Sequence, residues 1–135
     1  MSDQGRPFLE RARELLDQFA TGWGRSRPDL MLELFREDAV FRETPFTAPI
    51  TGIDEIRKWA ADIPYHQSEI RFTLGEVMVA PPWCSAEFRL VFRRRKTGDW
   101  VDARGAMFVE TDGELITELR MYWHRVNKGR DEAPM

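Results

Sequence analysis

From Ser68 to Arg125 the sequence alternates between apolar and polar residues with a period of two. Three turn-like segments interrupt the alternation, namely Pro81-Pro82, Thr97-Gly98 and Asp112-Gly113. Because the side chains of a β-strand point alternately to the two faces of a sheet, the pattern predicts four long strands that follow one another along the chain. Strands joined by short turns pair antiparallel, so this part of the chain predicts a meander with one buried face.

The residues before Ser68 have a helical pattern instead. Apolar residues recur there at spacings of three and four, which predicts a helix of about four turns with one buried stripe. The stripe consists of Phe8, Ala12, Leu15, Leu16, Phe19, Ala20 and Trp23. A second, short helix is expected from Pro28, a short strand over residues 39–43, and a third helix that starts near Ile53 and ends at Pro64.

This order of elements predicts the fold class. Three helices around a short strand, followed by four long strands, indicate an α+β fold with the helices packed on one face of a curved antiparallel sheet. The length of 135 residues suits a single domain over residues 1–135, with an ordered core of about residues 7–126. Residues 1–6 are expected to form a disordered lead-in.

The charge balance and the hydropathy pattern exclude several classes of function. The net charge of −3 argues against a nucleic-acid partner, whose binding needs a basic face. No apolar run reaches the roughly 18 residues of a membrane span, and the first residues form no apolar signal segment. We therefore expect a cytoplasmic protein without a membrane partner.

Motifs for metals, disulfides and cofactors are also missing from the sequence. The single cysteine, Cys84, excludes an intrachain disulfide and a cysteine-based zinc site, and we expect it to be a packing residue. The two histidines, His66 and His124, are far apart in sequence and lack clustered acidic partners. With no glycine-rich phosphate loop, nucleophile elbow or cofactor fingerprint, we expect no metal and no cofactor.

The last hairpin predicts a candidate polar pocket. If Asp112-Gly113 is a two-residue turn, Thr111 lies opposite Glu114 and every following pair is fixed. The residues that then share one face are Val101, Ala103, Gly105, Met107 and Val109 with Ile116, Glu118, Arg120, Tyr122 and His124. Small side chains beside large polar ones leave room next to titratable groups. In the alternative assignment the opposite face lines the cavity, with Leu119, Met121 and Trp123 packed beside Ala106 and Phe108.

The preceding hairpin leaves two registers open. A two-residue turn at Thr97-Gly98 places Arg93 opposite Asp102, which is a sensible ion pair on an outer face, and we favour this register. The residues that then share the face of Met107 are Ala86, Phe88, Leu90 and Phe92. A three-residue loop would shift the register by one and bring Glu87 and Arg89 to that face instead.

Three segments of the sequence carry a family resemblance. They are Leu34–Phe41 (LFREDAVF), Pro49–Ile56 (PITGIDEI) and Asp112–Ile116 (DGELI) leading to Tyr122-Trp123-His124. Over about residues 8–125 the chain resembles the nuclear transport factor two-like superfamily, and within it the SnoaL-like polyketide cyclase group. The resemblance implies a cone-shaped domain whose curved sheet wraps around the N-terminal helices and an internal hydrophobic cavity, commonly assembled as a homodimer through the sheet. The superfamily includes isomerases, dehydratases, cyclases, epoxide hydrolases and non-enzymatic binding domains, so it names no single activity.

The resemblance also implies roles for individual residues. Glu43 falls where ketosteroid isomerases carry their general-base carboxylate. Phe19 and Ala106 stand where those enzymes carry an oxyanion-hole Tyr and Asp, which argues against steroid-type isomerisation. His124 falls where limonene epoxide hydrolases carry the Asp at the end of their last strand, and Glu87-Phe88-Arg89 has their Arg–Asp charges in reverse order. Because histidine titrates near neutral pH, His124 fits the acid/base of SnoaL-type cyclases.

The residues and the resemblance together predict a cofactor-independent acid/base enzyme of the cyclase, isomerase, dehydratase or epoxide hydrolase type, acting on a small hydrophobic substrate. His124 would transfer a proton, Glu43 or Glu118 would support it, and Tyr122 would position an oxygen. The residues expected to bind substrate are Phe19, Trp23, Trp59, Tyr65, His66, Phe88, Met107, Glu118 and Arg120, with Tyr65 and His66 at the mouth of the cone. The alternative is a non-catalytic small-ligand-binding or dimerisation domain of the same fold.

Overall fold

The computed structural model describes residues 5–135, so residues 1–4 of the expected lead-in lie outside the described part. Helix α1 begins at Gly5, and the expectation of a disordered lead-in is therefore wrong for residues 5 and 6. The described elements are α1 (Gly5–Gly24), α2 (Pro28–Leu32), β1 (Phe35–Arg42), β2 (Ile50–Thr51), α3 (Ile53–His66), β3 (Gln67–Leu74), β4 (Met78–Ala80), β5 (Trp83–Arg94), β6 (Trp100–Thr111) and β7 (Ile116–Lys128).

The strands form one curved, unclosed sheet in the order β2-β1-β7-β6-β5-β3, with the short β4 beside β5. Strands β3, β5, β6 and β7 pair antiparallel, as the alternation predicts, whereas β1 pairs parallel with β7. The predicted α+β class with N-terminal helices against a curved sheet is confirmed. Within residues 5–135, no helix has the length and apolar character to cross a membrane.

The apolar stripe of α1 fills the concave side of the sheet. Leu15, Leu16 and Phe19 are fully buried, as the helical spacing predicts. The ring of Phe19 meets those of Phe35 on β1 and Phe72 on β3 edge-on, with centroids 6.3 and 6.0 Å apart. Edge-to-face pairs at this separation stabilise a core beyond the area they bury, so Phe19 anchors the helix on the sheet.

Helix α3 continues past the proline that was expected to end it. Pro64 lies inside the helix, which runs to His66, and the backbone N–H of Gln67 donates to Ile63 O. A proline removes the bond to the carbonyl four residues earlier, but here only the last turn follows it, so the helix tolerates the loss. His66 is consequently the last helical residue, and Gln67 begins β3 directly.

The β5–β6 hairpin has a register that differs by two residues from the favoured prediction. Arg93 pairs with Trp100, and Val91 pairs with Asp102. A shift of two residues preserves the faces of a strand, so the predicted inward face of β5 is confirmed by the burial of Ala86, Phe88 and Leu90. Glu87 and Arg89 point outward. The predicted Arg93–Asp102 pair is wrong, because Asp102 accepts from Arg89 instead.

The β6–β7 hairpin has a register that turns β7 over relative to the favoured prediction. Thr111 pairs with Ile116 and Met107 with Met121, and Thr117 forms a bulge in β7. Asp112 Oδ1 accepts from the backbone N–H groups of Glu114 and Leu115, at 2.9 Å each, which closes a four-residue loop in place of the expected two-residue turn. The pairing is displaced by three residues, and an odd displacement exchanges the faces of a strand. The predicted register was wrong for β7, whose Leu119, Met121 and Trp123 lie inward as in the alternative assignment. The favoured face of β6 is confirmed by the burial of Val101, Ala103, Met107 and Val109. The alternative was therefore wrong to place Ala106 and Phe108 on the inner face, because Phe108 is 42% exposed on the outer one.

Candidate functional site

A cavity of about 170 Å³ lies between α1 and the concave face of the sheet. Its size is close to that of cavities that hold one benzene-sized ligand. Its wall is apolar and aromatic apart from a carboxylate, an amide and a guanidinium. The lining residues are Trp23, Glu43, Gln67, Phe88, Leu90, Phe92, Val101, Ala103, Met121, Trp123 and Arg125.

Glu43 is the carboxylate of this cavity, and two indoles hold it in place. It directly follows β1 and is half-buried. Trp59 on α3 donates its Nε1–H to Glu43 Oε2 at 2.7 Å, and Trp123 on β7 donates its Nε1–H to the Glu43 backbone oxygen at 2.9 Å. Within residues 5–135, Oε1 accepts no hydrogen bond. One carboxylate oxygen is therefore fixed while the other is left to meet a ligand.

Gln67 supplies the amide, and contacts of both its backbone and its side chain fix its position. Its backbone N–H caps α3 at Ile63 O, and its Cα pairs with Arg94 in the β3–β5 ladder. Its side-chain Oε1 accepts the Nε1–H of Trp23 at 2.9 Å. The Trp23–Gln67 pair thereby joins α1 to the start of β3 across the cavity wall.

A second hollow of about 180 Å³ adjoins the first at Trp23, Glu43 and Gln67. The end of α3 contributes its remaining lining residues, which are Trp59, Asp62, Ile63 and His66. Asp62 and His66 are four residues apart and therefore share a helix face. Glu43 consequently borders an aromatic hollow on one side and a polar, solvent-exposed one on the other.

Two charged side chains, Glu43 and Arg125, line the first cavity. Arg125 lies at the exposed end of the lining, with its guanidinium 5.8 Å from the ring centroid of Trp123. It forms no ion pair with Glu43 within the described residues. Among those residues, no group of three or more His, Cys, Asp or Glu side chains could hold a metal ion. A lone carboxylate with one uncommitted oxygen is suited to accept a proton.

The structure brings five of the predicted site residues to these hollows. Trp23, Glu43 and Phe88 line the first, and Trp59 and His66 line the second together with Glu43. Three other predicted substrate-binding residues do not line either hollow. Phe19 and Met107 are fully buried in the core, and Tyr65 is 76% exposed.

Four predicted residues lie on the outer face of the sheet because β7 is turned over. His124 is exposed and pairs across the ladder with Arg104, and Tyr122 is 41% exposed beside Phe108. Glu118 accepts hydrogen bonds from Arg42 and Arg120 on the same face. The cavity positions predicted for His124, Tyr122, Glu118 and Arg120 depended on the other register and are therefore wrong.

Sequence reasoning missed several residues of the cavity. Gln67 follows His66 directly, but the expected helix end at Pro64 placed it in a loop. Met121 and Trp123 appear only in the alternative face assignment. Arg125 shares their face because it lies two residues beyond Trp123. The apolar alternation of Leu119, Met121 and Trp123 was the signal that could have identified this face.

Two other titratable groups have altered pKa values for clear physical reasons. Burial raises the pKa of the Cys84 thiol to about 11, which keeps it protonated at neutral pH and agrees with a packing role. The guanidinium of Arg89, which donates to both carboxylate oxygens of Asp102, holds the pKa of that carboxyl below its ordinary value, and Arg104 adds to the effect. Both groups lie outside the cavity.

Comparison with known proteins identifies what this arrangement resembles. The family model of the SnoaL-like domain matches residues 16–119. A candidate isomerase from Bacillus subtilis is 26% identical, with a TM-score of 0.78 over 87% of this chain and 88% of its own. A Catenulispora acidiphila protein with a ketosteroid isomerase-like fold, solved in complex with trimethylamine, is 21% identical, with a TM-score of 0.72 over 81% of this chain and 84% of its own.

An LEH-like epoxide hydrolase of Mycobacterium tuberculosis shares the same fold. It is 15% identical, with a TM-score of 0.73 over 85% of this chain and 84% of its own. Among curated proteins, none matches the sequence. The shared architecture is the nuclear transport factor two-like fold, in agreement with the resemblance seen in the sequence.

Proposed function

The chain belongs to the SnoaL-like domain family, and from this premise we propose that it is an enzyme that transfers a proton on a small, largely apolar molecule without a cofactor. The observation that carries the proposal is the geometry of Glu43. Its carboxylate borders an aromatic cavity, Trp59 fixes Oε2, and Oε1 is uncommitted within the described residues. Glu43 takes the role of general base, and His124 is not part of the proposal.

The surroundings of Glu43 support this role physically. A positioned carboxylate that removes a proton in the transition state contributes roughly 10²- to 10⁴-fold to a rate. Phe88, Leu90 and Met121 line the cavity beside it, so the side of Glu43 that faces this cavity is apolar. The hydrogen bond from Trp59 restricts rotation of the carboxylate, so Oε1 meets a bound substrate in one orientation.

The cavity volume limits the substrate. About 170 Å³ accommodates a single ring or a branched chain of similar size, and the adjoining hollow of about 180 Å³ leaves room for a second group. Similar structures include an epoxide hydrolase/cyclase-like enzyme and an epoxide hydrolase, at 13% and 15% identity. Isomerisation is the reaction that this cavity supports best, because it needs one group to remove a proton and return it, and Glu43 is the carboxylate that lines the cavity.

A second candidate is a non-catalytic small-ligand-binding domain. It is favoured by one observation: among the described residues that line the first cavity, Glu43 is the lone carboxylate and no histidine accompanies it. In that case Glu43 and Gln67 would form hydrogen bonds to a ligand that is bound and released without a chemical change.

Deuterium exchange separates the two candidates. Cyclohexanone in D₂O exchanges its α-hydrogens when a base removes them, and ¹H NMR follows the loss of signal. We expect Glu43→Gln, which keeps an acceptor oxygen for Trp59, to lower the protein-catalysed rate by at least about 100-fold. Glu37→Gln, on the exposed part of β1, is the matched control and leaves the rate unchanged. Equal rates for wild type, Glu43→Gln and buffer would reject the enzyme and favour the binding domain.

We also propose that the outer face of the sheet binds a second copy of the chain. Phe108 and Tyr122, 42% and 41% exposed, pack edge-to-face at 5.8 Å, and Arg120 lies over the ring of Trp83 beside them. An exposed aromatic patch on a sheet is typical of an interface. We expect Phe108→Glu to give a monomer in analytical ultracentrifugation. Phe46→Glu, in the exposed loop after β1, is the control that leaves the mass unchanged, and a monomeric wild type would contradict the proposal.

A further inference from the structure

Hydrogen-bond donors are few in the first cavity, and the three indoles of the two hollows are already engaged. Trp23 donates to Gln67 Oε1, Trp59 donates to Glu43 Oε2, and Trp123 donates to the Glu43 backbone oxygen. An indole has a single N–H, so none of them can donate to a ligand without breaking one of these bonds.

Gln67 retains its donor, and the bond to Trp23 fixes where that donor is. A side-chain amide has one acceptor oxygen and one NH₂ group. Because Trp23 can only donate, the atom that faces it is Oε1, and Nε2 lies on the other side of the amide. Within residues 5–135, Nε2 donates to no protein acceptor, and Gln67 lines both hollows together with Glu43.

Arg125 is the other donor of the first cavity, and its position suits a different role. The residue is exposed, and its guanidinium lies over Trp123 at the outer end of the lining. A fully charged group there can attract or orient a ligand at the mouth. Gln67 is half-buried and adjoins Glu43 in both hollows, so it is the neutral donor beside the proposed base.

We infer that Gln67 Nε2 donates a hydrogen bond to an uncharged oxygen of the ligand, and that the ligand class is therefore a small ketone or enol of about one ring. This inference rests on the proposed function. Glu43 Oε1 takes a proton from the carbon next to the carbonyl. The C–H electron pair forms the carbon–carbon double bond of an enolate, and the carbonyl π pair moves onto the oxygen. Nε2–H stabilises the charge on that oxygen, and the proton then returns from Glu43 to carbon, so no oxidant or reductant is needed.

The direct test observes the Gln67 amide itself. The ¹H–¹⁵N signals of its NH₂ group, assigned from their loss in Gln67→Met, are followed while cyclohexanone or methylenecyclohexane is added to the uniformly labelled wild-type protein. The two molecules share a ring and differ at the oxygen. We expect cyclohexanone to shift the Gln67 signals and methylenecyclohexane to leave them nearly in place. Gln18 is the internal control, because its Nε2 already donates to Leu30 O at 2.7 Å and to Glu33 Oε2 at 3.1 Å.

Affinities provide the second readout. Gln67→Glu keeps an acceptor for Trp23 and loses the NH₂ donor, and we expect it to bind cyclohexanone roughly 3- to 10-fold more weakly. Gln67→Met combined with Trp23→Phe removes the NH₂ donor without a new charge and without leaving a free indole N–H, and we expect the preference for cyclohexanone over methylenecyclohexane to fall in both variants. A ketone preference that persists in both variants, or that disappears in Arg125→Met instead, would overturn the inference.

Failure of the inference about Gln67 can be distinguished from failure of the proposed function. If Glu43→Gln abolishes α-deuterium exchange while cyclohexanone leaves the Gln67 signals unmoved, the base is supported and the donor is rejected. If the signals move and no exchange is catalysed, the donor is supported and the cavity is a binding site.

Discussion

Gly105→Ala tests the strand register that places Trp123 in the cavity. Gly105 pairs with Trp123 across the β6–β7 ladder. A Cβ atom built on Gly105 would lie 1.9 Å from the backbone oxygen of Tyr122 and 2.7 Å from the Cα of Trp123. Both are backbone atoms, so no side-chain rotation relieves the overlap and the two strands have to separate locally.

The expected loss of stability follows from that separation. Ordinary contacts between non-bonded atoms are roughly 3.5 Å, so the strands move apart by more than about 1 Å. Such a displacement weakens about two ladder hydrogen bonds, at roughly 1 kcal/mol each, and overpacking adds roughly 1–3 kcal/mol. We therefore expect Gly105→Ala to lower the free energy of unfolding by about 3–5 kcal/mol, a large part of the stability of a domain this size.

Urea unfolding followed by tryptophan fluorescence measures this change. Gly75→Ala, directly after β3, is the control, because a Cβ there comes no closer than 3.6 Å to Glu87 on the neighbouring strand. We expect Gly75→Ala to stay within about 0.5 kcal/mol of wild type. A Gly105→Ala protein as stable as Gly75→Ala would show that the strands are not paired as described, and the inward position of Trp123 would then lose its support.

Three further predictions concern charged groups and the proposed base. Asp102→Asn should lower stability by about 2 kcal/mol at pH 7, since it weakens charge-assisted bonds from Arg89. Because folding lowers the pKa of Asp102, its contribution is present above the unfolded value near 4 and is lost as the pH falls through the lower folded pKa, so the urea midpoints of variant and wild type should approach each other below about pH 4. Backbone N–H groups lower the pKa of Asp112 to about 2. We expect Asp112→Asn to be more stable than Asp112→Ala at pH 7, and wild type to lose its stability advantage over Asp112→Asn between about pH 4 and 2. Equal melting temperatures for the two variants would contradict this. Trp59→Phe removes the N–H that holds Glu43 Oε2 and should slow α-deuterium exchange about 10-fold, and an unchanged rate would contradict the positioning role.

Much of the fold could be predicted because local periodicity and packing agree. The three-and-four spacing of α1 matches its buried face, with Leu15, Leu16 and Phe19 fully buried. The alternation after Ser68 gave the strands of the antiparallel ladder. The parallel pairing of β1 with β7 could not be predicted from the alternation, because it joins segments about 80 residues apart and depends on how the sheet curves around the helices.

Five residues of the candidate site were predictable, but the hydrogen bonds that join them were not. Glu43 follows a recognisable strand, so a resemblance of the strand sequence was enough to single it out. Its two indole donors come from Trp59 and Trp123, and the partner of Gln67 is Trp23, 44 positions earlier. Tryptophan periodicity identifies buried positions but does not tell which acceptor each N–H meets, since that depends on the relative placement of three elements.

The register of β7 shows which of two conflicting sequence signals, a turn motif or an apolar alternation, determines how a strand pairs. The Asp112-Gly113 turn motif favours a two-residue loop, and the conformational preference of a glycine in a turn is worth roughly 1 kcal/mol. Leu119 and Met121, at 0% and 2% exposure, together gain roughly 3–6 kcal/mol from burial. The two-residue turn would have exposed both and pushed Glu118 and Arg120 inward, so burial outweighs the turn. A bulge at Thr117, whose Oγ1 donates to Glu110, accommodates the longer loop. Where a turn motif and an apolar alternation disagree on a long strand, the alternation is therefore the better guide to which residues line the cavity.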